Sequence, residues 1–69
     1  MIYLIVIKSD SQAISRYEDI ETAMMNFHNE MSYAYNAKIK TTCYITNELG
    51  VYIKKPETYD PALVIEVTM

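Results

Sequence analysis

A chain of 69 residues with a net charge of −3 and 51% hydrophobic residues makes one domain, residues 1–69, and a small one. Folding a chain of this size hides only about 60% of the surface that the unfolded form exposes, so such domains gain from a staple or a second subunit. One cysteine excludes an internal disulfide, one cysteine with one histidine argues against structural zinc, and nine dispersed acids against six bases argue against direct nucleic-acid binding.

Residues 2–8, IYLIVIK, predict a strand. Ile2, Leu4 and Val6 point one way and Tyr3, Ile5 and Ile7 the other, so both faces are apolar and the strand belongs in the middle of a sheet. This run of apolar residues is too short for a membrane span and lacks the basic flank of a signal peptide, and a free cysteine suits a reducing cytosol. A cytoplasmic protein with no membrane contact is therefore expected. Ser9 to Gln12 predict a turn, and residues 13–17, AISRY, a short returning edge strand on which Arg16 discourages further pairing.

Residues 20–37 predict a helix. Ile20, Met24, Phe27, Met31 and Ala34 recur at intervals of four and three and share one face, and no Gly or Pro interrupts them. Asp19 is the expected N-cap, Glu21 favours the first turn, and Asn36 is a candidate C-cap. A single oily stripe needs one sheet to bury it.

Residues 39–46, IKTTCYIT, alternate as a strand, with Ile39, Thr41, Cys43 and Ile45 towards the helix and Lys40, Thr42, Tyr44 and Thr46 away. The only glycine, Gly50, predicts a three-residue hairpin loop that pairs Asn47 with Val51, Thr46 with Tyr52, Ile45 with Ile53 and Tyr44 with Lys54. Residues 54–61 hold two prolines and predict a connection, and residues 63–68, LVIEVT, a last strand that pairs within the chain or with another subunit. The expected fold is α+β: an antiparallel sheet of four to five short strands with one helix packed on one face, in the order β-β-α-β-β-β.

The stretch EDIETAMMNFHNEMSYAYNA resembles small uncharacterised proteins of phages, prophages and other mobile elements of Firmicutes. The similarity covers residues 2–60 and rests on Phe27-His28, Tyr33 to Asn36, Asn47 to Gly50 and Lys54 to Tyr59; the strand-like LVIEV departs from the polar, proline-rich tail of that group. The resemblance implies a mobile-element origin and a bacterial host cytosol, and it transfers no activity.

No catalytic, metal or cofactor constellation is expected. His28 and Glu21 project along one side of the helix without a nucleophile beside them, and Cys43 reads as a small buried hydrophobe. Seven tyrosines suit an interface. The expected binding residues are Tyr3, Ile5, Ile7, Tyr44 and Tyr52 on the sheet face away from the helix, with Lys54 beside Tyr44 and Tyr33 on the helix's outer face. The expected function is non-enzymatic binding, foremost anti-defence inhibition of a host immune protein. The alternatives are an oligomeric sponge that holds a nucleotide signal by tyrosine stacking and lysine contacts, and a minor structural or assembly protein. Self-association through the open sheet face, or edge to edge through the last strand, is expected in each case.

Overall fold

The computed structural model describes residues 1–62. Strand β1 (Ile2–Lys8) turns at Ser9-Asp10 into β2 (Ser11–Tyr17), helix α1 (Ile20–Ala37) follows, and β3 (Thr41–Asn47) and β4 (Tyr52–Tyr59) close the described chain. The four strands form one antiparallel sheet in the order β2-β1-β3-β4, with α1 on one face. The α+β expectation holds, and the strand expected at 63–68 lies outside the described residues.

β1 is central because only the middle of a sheet covers a strand that is oily on both sides. Its register with β3 sets Leu4 against Ile45 and Val6 against Cys43 on the helix side, and Tyr3 against Thr46, Ile5 against Tyr44 and Ile7 against Thr42 on the other. The core is Leu4, Val6, Cys43 and Ile45 from the sheet with Ala23 and Phe27 from the helix. Ala23 and Ala34 are fully buried, and their small side chains let the helix backbone come close to the sheet.

The helix has the expected bounds. The Asp19 carboxylate accepts the Thr22 backbone N–H at 2.9 Å, and hydrogen bonding by Thr22, first its side chain and then its backbone, holds the Asp19 pKa below the ordinary value. Two details differ. Ile20 is 48% exposed, because it stands in the first turn beyond the reach of the sheet, and Ala23 takes its place in the buried face. The C-cap is Lys38 rather than Asn36: Lys38 adopts the left-handed conformation at φ 59, and its N–H returns to the Ala34 carbonyl. Just beyond it Thr41, wholly buried, donates its hydroxyl to the Ile39 carbonyl at 3.0 Å, so β3 starts at Thr41 and not at Ile39.

The hairpin between β3 and β4 closes as the glycine predicts. Gly50 has φ 82, its N–H donates to the Asn47 carbonyl, and the Asn47 N–H donates to the Val51 carbonyl. The Asn47 side chain accepts the N–H groups of Leu49 and Val51 at 2.8 and 3.1 Å, which pins the loop. Beyond Thr46↔Tyr52 the expected register fails. Ile45 pairs with Lys54 rather than Ile53, and Cys43 pairs with Glu57, so β4 holds extra residues at Ile53 and at Lys55-Pro56. These are bulges, and with them β4 runs through Pro56 to Tyr59 where a connection was expected. An edge strand tolerates the proline because its missing N–H can face outward.

Two substitutions check the core and the loop. Phe27→Ala should cost about 3–5 kcal/mol, most of what a domain this small has, whereas Met25→Ala, at a position 58% exposed, should cost far less in chemical denaturation. Gly50→Val should destabilise by about 1 kcal/mol or more through the backbone, since a Cβ there meets no atom within 4 Å, and Gly50→Asn should cost less.

Candidate binding face

The sheet face away from the helix is built by the pleat. From β1 come Tyr3, Ile5 and Ile7, and from β3 Thr42, Tyr44 and Thr46. The two-residue turn sets β2 in register, so that Ile14 lies opposite Ile5, Arg16 opposite Tyr3 and Gln12 opposite Ile7. Tyr52 joins from β4, and its ring meets Tyr44 edge to face, with centroids 5.6 Å apart. The Thr42 and Thr58 hydroxyls bond at 2.8 Å beside them. Five of the expected binding residues, Tyr3, Ile5, Ile7, Tyr44 and Tyr52, thus share one surface.

That surface covers itself in part. Ile5, between Ile14 and Tyr44, is only 6% exposed, and Tyr3, Ile7 and Tyr44 are half-buried. Accessible apolar area concentrates at Tyr52, 52% exposed, and at Ile14, 60% exposed. Ile14 is absent from the expected set, although a two-residue turn at Ser9-Asp10 places it across from Ile5.

Lys54 is not on this face. The bulge at Ile53-Lys54 turns it to the helix side, where its ammonium stands 5.5 Å from the centre of the Phe27 ring and 2.8 Å from the Glu57 carboxylate. The expected pairing of Lys54 with Tyr44 is therefore corrected. Tyr33 is exposed on the helix, as expected, with the Lys8 ammonium 5.4 Å from its ring centre, away from the open face.

The helix side is not wholly covered either. A groove of about 130 Å³ runs between α1 and β2, floored by Ser11, Ala13 and Ser15 and flanked by Glu30. At the turn end a second hollow of about 410 Å³ opens instead beside the open face, lined by Ile7, Thr42, Lys8, Ser9 and Lys40, and Asp60 engages Lys40 at 3.9 Å.

His28 is exposed and meets Phe27 edge to face at 5.6 Å. Among the described residues no group of three His, Cys, Asp or Glu side chains is placed to hold a metal, and no helix is long and apolar enough to cross a membrane. Compared with protein families, curated proteins and solved structures, the chain matches none.

Cys43 is fully buried on the helix side of β3, and burial pushes its thiol up to about 11. The thiol is therefore protonated and shielded at neutral pH. Iodoacetamide at pH 8 should leave Cys43 unlabelled in the native protein and label it fully in denaturant. The raised value also gives the sign of a pH effect. Stability from this site is complete below the ordinary thiol value of 9.0 and is lost as pH rises towards 11, where only the unfolded thiolate is solvated. Cys43→Val should flatten that part of the pH profile of stability.

Proposed function

We propose that the chain is a non-catalytic binding protein of a phage or mobile element, acting in the bacterial host cytosol by docking its open sheet face on a host immune protein. One observation carries the binding part. Ile14, Tyr44, Tyr3 and Ile7 enclose the buried Ile5, Tyr52 and Ile14 stand exposed at the margins, and Gln12, Arg16, Thr42, Thr46 and Thr58 lie among them, which makes one surface of tyrosine and aliphatic groups interleaved with polar ones. Tyrosines anchor such contacts at low entropic cost, because the ring packs while the hydroxyl finds a polar partner. The setting in a host cell rests on the resemblance of residues 2–60 to mobile-element proteins, and the anti-defence role is our reading of a small binding protein in that setting, since the resemblance transfers no activity.

The sponge reading draws on a lysine beside the tyrosines, and Lys54 faces the helix instead. A structural or assembly protein would use the same face with a different partner. Tyr52→Arg separates binding from folding, because Tyr52 is half exposed at the rim. Quantitative affinity purification from host cells should recover a host defence protein with the wild type and at least about tenfold less of it with Tyr52→Arg. Equal recovery of every protein by both would refute docking through this face, and a partner from the virion would favour the assembly reading.

A further inference from the structure

The sheet has two edges, and they are built differently. β4 carries Pro56, two bulges and the charges of Lys54, Lys55 and Glu57, which are standard obstacles to edge pairing. β2 carries none of these except Arg16. It is regular over all seven of its residues, Ser11–Tyr17, and ends the sheet among the described residues, with Ser11 to Arg16 exposed. The two-residue turn makes Lys8↔Ser11 a hydrogen-bonded pair, and such pairs alternate along an antiparallel ladder. The N–H and C=O groups of Gln12, Ile14 and Arg16 therefore point outward, away from β1.

We propose that β2 pairs antiparallel with β2 of a second copy of this chain, about a two-fold axis at Ile14, to form one eight-stranded sheet. The strand is complementary to itself in this register. Ile14 is its middle residue, so all seven residues pair, and the outward groups of Gln12, Ile14 and Arg16 meet those of Arg16, Ile14 and Gln12 in the other copy. On the open face Ile14 packs on its copy, and each Arg16 lies across from a Gln12 amide. The two arginines stay about 13 Å apart, four residues along the strand, so like charges do not meet. In this register Arg16 would not oppose the pairing that its charge is expected to discourage.

The helix side supplies a second, independent fit. There the seam sets Ala13 across from Ser15 and Ser11 across from Tyr17, and three of these four are small. The groove over Ser11, Ala13 and Ser15 is left open by the chain's own helix. Pairing would join it to the groove of the second copy, giving one cleft with a small-residue floor between two helices. A partner at β2 would complete that cleft.

Sedimentation at high micromolar concentration tests the proposal. The wild type should be a dimer. Gln12→Pro removes an outward N–H while leaving the bonds to β1, and should weaken the dimer at least about tenfold with little change in melting temperature. Tyr52→Arg, which impairs the open face, should remain dimeric, so the failure of the docking reading and the failure of this one are told apart. Should Gln12→Pro unfold, Ile14→Cys decides: two cysteines across the axis would lie about 5.5 Å apart at Cα and should form an interchain disulfide on mild oxidation, while Tyr52→Cys should not. A monomeric wild type, a Gln12→Pro dimer as tight as the wild type, or Ile14→Cys that fails to cross-link would overturn the proposal.

Discussion

A helix is about 10 Å across with its side chains, and strands lie about 4.8 Å apart. One helix therefore covers two strands of a four-stranded sheet, and it covers one face only. In this chain the two covered strands are β1 and β3, which supply Leu4, Val6, Cys43 and Ile45 to the core. The other features of the molecule follow from what remains uncovered: the whole opposite face, the helix side of β2 and the flank of β4.

The three uncovered surfaces are managed in different ways. At β4 the chain bulges, and Lys54 is turned inward so that its ammonium stands over Phe27 while Glu57 neutralises it. A long side chain with an apolar stem and a charged tip can close the side of a core where an isoleucine would have to end in water. On the open face the residues close over Ile5, leaving tyrosine rings to face outward. At β2 no such device exists among the described residues, and serines and alanine keep the helix side shallow and open.

The same constraint explains which parts could be read from the sequence. Burial produces periodicity, so the elements that are buried on one side were legible: the stripe of α1, the alternation of β3 and the doubly apolar β1. Gly50 fixed the hairpin loop, because only glycine takes its φ without strain, and Asn47–Val51 and Thr46–Tyr52 follow from it. β2 is exposed on both sides and so shows no alternation, and Ser11 and Gln12 have the composition of a turn, which hides both the start of the strand and the place of Ile14 on the open face. The bulges of β4 were hidden for another reason. A Lys-Lys-Pro run reads as a connection, and nothing in residue type says that an edge strand will absorb it by adding residues rather than ending. That hidden irregularity moved Lys54 to the opposite side of the sheet and took a cation away from the tyrosine face.

Face and edge are separate surfaces, and this matters for how so small a chain can act. A partner docked on Tyr3, Tyr44 and Tyr52 approaches along the normal of the sheet, whereas strand addition at β2 proceeds within its plane, so the two compete only near Ile14. The open face of one copy measures about 19 by 23 Å from strand spacing and rise, or roughly 440 Å², which is short of the roughly 800 Å² that a stable complex buries on each side. Two copies joined in the sheet plane would double it and carry Ile14 from a rim to a centre. With the proposed pairing, a single layer of strands backed by one helix would present a flat surface whose extent is set by association rather than by chain length.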